Sequence, residues 1–171
     1  MLEKRAYVHE LQTLVHLRTL DTPPNPGGLA ALTPCDDPCY LALPASATSG
    51  AVRVYDLRAD GGNVLAEVDA HQAPLAVLAW SPDGQLLASA SSKGTVVRVH
   101  RLPCAAKAFT FRRGTYPAAI HSLAFSPEAV QPMLLAAASS HGTVHVFRLE
   151  AAGRCAGGGG VLGRLGHGSC C

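Results

Sequence analysis

An internal repeat constrains this chain more than any other feature. Three segments end in nearly the same words: Leu29 to Leu57 closes with SGAVRVYDL, Val77 to Leu102 with KGTVVRVHRL, and Ser122 to Leu149 with HGTVHVFRL. Their turn glycines, Gly50, Gly94 and Gly142, lie 44 and 48 residues apart. A period of roughly 40–45 residues is that of a propeller blade built from about four short strands.

Each repeat follows one grammar. An apolar strand (LAAL, VLAW, SLAF) leads into a turn at Thr33–Pro38, Ser81–Gly84 or Ser126–Gln131. A strand of small residues follows (YLALPAS, LLASAS, LLAAASS), then a glycine turn, then alternating Val-x-Val. Short, evenly spaced strands bounded by turn residues specify an all-β fold, and no long stretch keeps a 3.6-residue period. Alanine and serine on the second strand suit inner strands that crowd toward an axis. The expected organisation is the end of a preceding blade and a linker over 1–28, a blade over 29–70, a second over 71–114, an incomplete blade over 115–150, and a disordered Gly/Cys-rich tail over 151–171. Lys4–Leu11 and Leu14–Asp21 read as the third and fourth strands of the first, partial blade. The ends are incomplete, so an open partial propeller is expected rather than a closed ring, with exposed strand edges and a tendency to aggregate.

Composition narrows the function classes. Hydrophobic residues make up 48% and charged residues 15%, a globular balance. The formal net charge of +2 argues against field-driven binding to nucleic acid or bulk anionic lipid, so an anionic ligand needs a local cluster. The opening Met-Leu-Glu-Lys-Arg does not read as a secretory signal, and no apolar run approaches the ~20 residues of a membrane span. The six cysteines form no regular framework and are expected to be reduced thiols. No metal site, cofactor or catalytic arrangement is expected; Asp36 and Asp37 read as turn chemistry.

The polar residues with the most chemical content surround Phe111-Arg112-Arg113-Gly114, in the context AFTFRRGTYP. Adjacent residues on a strand point to opposite sides, so the two arginines can serve two flanks, each guanidinium offering a planar fork matched to phosphate. Gly114 is expected to let the backbone turn away with no side chain in its path. One flank holds Ser89, Ser91, Thr95 and Arg98, with His71 from the turn DAHQAP; the other holds Ser139, Ser140, Thr143 and His145. GTVVRV carries one residue more than GTVHV, which predicts a β-bulge re-aiming Arg98. An Arg-Arg pair by itself is more often solvated surface, and hydroxyls in LASASSKGT by default satisfy local backbone; order and register give them weight.

These residues resemble the PROPPIN family, whose signature is FRRG. PPNPGGLAAL, CYLALPASATSG, DAHQAPLA, LASASSKGTVVRV and SSHGTVHVFRLE extend the likeness in family order from about Leu2 to Glu150. The resemblance implies three to four blades of a seven-bladed ring that binds phosphatidylinositol 3-phosphate and the 3,5-bisphosphate. One lipid site would hold His71, Ser89, Ser91, Gly94, Thr95, Arg98 and Arg112; the other would hold Arg113, Gly114, Ser139 or Ser140, Thr143 and His145. It further implies a non-enzymatic adaptor in autophagosome formation. Such a protein is cytosolic and peripheral on phagophore, preautophagosomal, endosomal or vacuolar membranes, with autophagy proteins as partners and no nucleic acid. The chain departs from the family in lacking the blade-two partner surface and in carrying a Gly/Cys tail where an apolar membrane loop is expected. It therefore reads as a truncated gene product or a gene-prediction artefact. The alternative is a WD-repeat scaffold for protein partners without lipid binding, which has no use for FRRG and its polar flanks.

Overall fold

The structure, a computed structural model, describes residues 4–35, 37–58 and 63–150. The expectations for Asp36 and for the tail over 151–171 fall outside them. Among the described residues there are thirteen strands and no helix, hence no helix long and apolar enough to cross a membrane. Strands β1 (Arg5–His9) and β2 (His16–Asp21) pair as a hairpin. Next come β3 (Ala31–Leu32), β4 (Tyr40–Pro44), β5 (Gly50–Asp56) and β6 (Val64–His71), antiparallel in sequence order. The third sheet runs β7 (Leu75–Trp80), β8 (Leu86–Ser91), β9 (Val96–Arg101) and β10 (Ala106–Arg112). The fourth contains β11 (Ile120–Phe125), β12 (Leu134–Ser139) and β13 (Thr143–Arg148). None of these sheets closes on itself.

The repeat explains this regularity at the level of single hydroxyls. Thr33, Ser81 and Ser126 end the first strand of their repeats. Each donates its backbone N–H to the carbonyl of the residue opening the next strand, Tyr40, Leu86 or Leu134, at 2.8–3.0 Å. Each side-chain oxygen then accepts the N–H of that same residue, at 3.0, 2.9 and 2.9 Å. One hydroxyl thus closes each turn from both sides. At the other end of each repeat, Leu57, Leu102 and Leu149 donate their N–H groups to Cys39, Gln85 and Met133 at 2.8–3.0 Å.

The core lies between successive sheets. Leu20 of the hairpin packs with Leu41, Leu43 and Tyr55. Val52, Val54 and Val68 of the second sheet meet Leu78, Trp80 and Leu87 of the third, where the Trp80 Nε1–H donates to the Ala31 carbonyl at 3.0 Å. Val97 and Val99 meet Ile120, Leu123 and Leu135 of the fourth. The small residues of the second strands make this close approach possible: Ala42, Ala88, Ala90 and Ala137 are fully buried. First strands stand next to one another, β7 between β3 and β11.

Two expectations are corrected. The β8–β9 ladder runs without a shift from Leu86↔Arg101 to Ala90↔Val97, so the extra residue of GTVVRV is no bulge in that ladder. It is absorbed in the connection around Thr95, where no ladder pairing constrains its length. Cys35 and Cys39 form no disulfide, as expected, but Cys104 is disulfide-bonded. Its position is an exposed turn between β9 and β10.

Candidate functional site

A cavity of about 610 Å³ opens between the end of β6 and the β8–β9 hairpin. The β6 wall contributes Asp69, His71, Gln72 and Ala73; the hairpin wall contributes Ser91, Lys93, Thr95, Val96 and Arg98. The turn between β8 and β9 is what projects Lys93 and Thr95. It depends on Gly94, whose φ is +59° and where a Cβ would lie 1.8 Å from the Ala118 carbonyl oxygen. At the facing wall Gly50 pairs with His71, and a Cβ there would lie 2.4 Å from the His71 Cβ.

His71 is the last residue of β6 rather than a turn residue, and it is buried. Its Nε2 stands 3.2 Å from the Ser89 carbonyl and 3.1 Å from the Ser89 hydroxyl. A carbonyl only accepts, so Nε2 carries the proton. Ser89 is itself fully buried and donates its hydroxyl to the Arg98 carbonyl at 3.4 Å. Burial, aided by the charges of Arg98 and His100, pushes the His71 pKa down to about 4 against the opposing effect of its hydrogen bond to the Ser89 carbonyl. Burial also takes His100 to about 4, with Arg98 and Lys107 adding to it. Both rings are therefore neutral near neutral pH, and the positive charge of the cavity comes from Lys93 and Arg98. Arg98 pairs with Ser89 on one side and Thr110 on the other, and its Nη1–H donates to the Ala70 carbonyl. Its Nε is buried with no hydrogen-bond partner among the described residues.

The first expected set is thus largely brought together. His71, Ser91, Thr95 and Arg98 line the cavity; Ser89 supports His71 from behind, and Gly94 shapes the turn. Arg112 ends β10 opposite Val96, exposed and outside the lining, with no hydrogen bond or ion pair among the described residues. Asp69, Gln72 and Lys93 were not singled out in the sequence. Lys93 sits in the same turn as three residues that were, and Asp69 stands two residues before His71 on β6, which was the available signal.

The second set is arranged differently. Arg113 is buried, opposite in exposure to Arg112 as strand alternation requires. Its Nε–H donates to the Gly94 carbonyl at 2.9 Å and its Nη2–H to the Tyr116 carbonyl at 2.5 Å. Ser139 and Thr143 share a hydroxyl–hydroxyl contact of 3.0 Å, and the Ser140 hydroxyl accepts the Ala119 N–H at 3.1 Å. His145 has its Nδ1 buried without a hydrogen-bond partner among the described residues and stacks near Phe147. No hydrogen bond joins Arg113 to Ser139, Ser140, Thr143 or His145 among the described residues. A Cβ at Gly114 would meet nothing within 4 Å, so the steric need expected there is absent; the backbone leaves β10 into open space.

Successive four-stranded antiparallel sheets, packed face to face around aligned first strands, define blades of a β-propeller with a polar cavity at their rim. Comparison with known proteins narrows the class. The PROPPIN family matches over residues 1–158, and the chain belongs to that family. It is 46% identical over 155 residues to autophagy-related protein 18b of Arabidopsis thaliana, covering 89% of this chain and 41% of that protein. It is 46% identical over 152 residues to WD repeat domain phosphoinositide-interacting protein 2 of Gallus gallus, covering 87% and 34%. Among solved structures, KlAtg21 in complex with the coiled coil of AgAtg16 superposes with a TM-score of 0.69 at 26% identity, covering 85% of this chain and 47% of that one. The chain spans less than half the length of the relatives it matches.

Proposed function

We propose that the chain forms the phosphoinositide-binding portion of an adaptor that docks on membranes in autophagy. The observation that carries this reading is the rim cavity, where Lys93 and Arg98 converge with the hydroxyls of Ser91 and Thr95 and with a neutral His71. Two cations suit a phosphomonoester, and the hydroxyls and imidazole suit the ring hydroxyls of an inositol. The unpartnered Arg98 Nε is a donor whose burial is costly without an acceptor, which a phosphate oxygen supplies. Membership of the family and the autophagy relatives support the setting. The ligands are phosphatidylinositol 3-phosphate and the 3,5-bisphosphate, the first site drawing on the exposed Arg112 as its outer cation. The second site would be built on Arg113, Gly114, Ser139 or Ser140, Thr143 and His145. There Arg113 first positions the turn through Gly94 and Tyr116, leaving its other N–H groups for ligand.

Vesicle flotation tests the reading. The chain should float with phosphatidylinositol 3-phosphate vesicles and poorly with phosphatidylserine vesicles of matched surface charge. Arg112→Thr or Arg113→Thr should each weaken flotation partially, and the double variant should abolish it, since paired sites gain on the order of 10²-fold in avidity. Equal flotation on both lipids would point to bulk electrostatics. An unaffected double variant would remove FRRG from the site.

A further inference from the structure

The cavity is asymmetric in charge. Among the described residues that line it, both cations, Lys93 and Arg98, come from the β8–β9 hairpin, and the one carboxylate, Asp69, comes from the facing β6 wall. Asp69 is exposed and makes no hydrogen bond or ion pair among the described residues, so its charge is not neutralised by a neighbour. Lys93 is equally unpaired, which leaves the three charges to act on whatever enters. With His71 neutral, the formal charge of the cavity is +1.

We propose that Asp69 makes this cavity discriminate against polyol head groups that carry two phosphomonoesters in favour of those that carry one. The inference rests on the phosphoinositide reading of the same cavity. A single phosphate held by Lys93 and Arg98 turns the rest of the ring toward the β6 wall. There Asp69 accepts hydrogen bonds from ring hydroxyls, as a carboxylate does. A second phosphate brings about −1.5 to −2 further charge and no donor to offer when fully ionised. Against an unpaired carboxylate it is repelled, and specificity commonly needs such a repulsive element beside the attractive ones. At a solvated separation of about 8 Å the repulsion corresponds to roughly fivefold in affinity.

The test compares the chain with its Asp69→Asn and Arg98→Ala variants. Each is titrated with vesicles bearing phosphatidylinositol 3-phosphate, vesicles bearing the 3,5-bisphosphate, and phosphatidylserine vesicles of matched charge. Soluble inositol 1,3-bisphosphate serves as competitor, to separate head-group capture from surface attraction. Asp69→Asn should raise affinity for the 3,5-bisphosphate about fivefold more than for the 3-phosphate, and Asp69→Ser should do the same; Arg98→Ala should weaken both. If wild type binds both lipids and the Asp69 variants leave their ratio unchanged, the discrimination is overturned while the phosphoinositide reading stands. If wild type binds neither lipid above phosphatidylserine, that reading falls and the discrimination falls with it.

Discussion

At the scale of single residues, two kinds of buried group tie stability to the cavity. His71 and His100 ordinarily titrate near 6.5 and are held at about 4 by burial. The folded state therefore binds fewer protons than the unfolded state between those values. Their stabilisation is complete above the unfolded pKa and is lost as pH falls toward 4, by up to about 1.4 kcal/mol per pH unit for each ring. Thermal melts should show a lower midpoint near pH 5 than near pH 7.5, and His100→Asn should flatten the dependence. A midpoint indifferent to pH would mean that both rings are solvated. The glycines make the second case. Gly94 has a positive φ and a Cβ there would run into the Ala118 carbonyl, whereas Gly114 has neither constraint. Gly94→Ala should lower the melting midpoint by several degrees, equivalent to about 1–3 kcal/mol, and Gly114→Ala should stay within about 0.5 kcal/mol of wild type. Equal effects at the two positions would contradict the geometry of the turn.

At the scale of elements, outer strands decide how the chain behaves toward others of its kind. β13 is paired on one side to β12, and among the described residues its other edge has no neighbour in its sheet. Val144 and Val146 on it are 66% and 61% exposed, so an apolar strand with unpaired backbone groups is available for edge-to-edge pairing. The opposite end carries a similar excess, with Leu11 and Leu14 exposed in the β1–β2 connection. Light scattering over a range of concentrations should show self-association, and Val144→Lys with Val146→Lys should shift the chain toward monomer. A monodisperse monomer in wild type would mean that this edge is not adhesive, and self-association untouched by the two lysines would place the adhesive surface elsewhere.

At the scale of the whole molecule, the fold was legible in the sequence because its determinants are local and repeated. Thr33, Ser81 and Ser126 announce the same turn three times, and the Ala-rich second strands announce the close packing between sheets. The site was legible in part, for a physical reason. His71, Ser91, Thr95 and Arg98 belong to motif text, but the cavity is a space between two sheets, and its rim also takes in Asp69, Gln72 and Lys93. Nothing in a one-dimensional reading says which neighbours of a motif residue border an inter-sheet space. The same limit applies to Arg113: strand alternation sends it away from Arg112, but its hydrogen bonds to Gly94 and Tyr116 depend on the path of the chain after β10. The presumed bulge failed similarly, because counting residues cannot distinguish an insertion in a ladder from one in the turn beside it.

Capture of a phosphoinositide head group by the cavity between β6 and the β8–β9 hairpin can be read directly by hydrogen-exchange mass spectrometry. The chain is compared in the presence of phosphatidylcholine vesicles with and without phosphatidylinositol 3-phosphate. Exchange should slow in two separate stretches, 69–73 and 91–98, with no such protection in the Arg98→Ala variant. Unchanged exchange in both stretches, with the chain demonstrably bound to the vesicles, would contradict capture in this cavity.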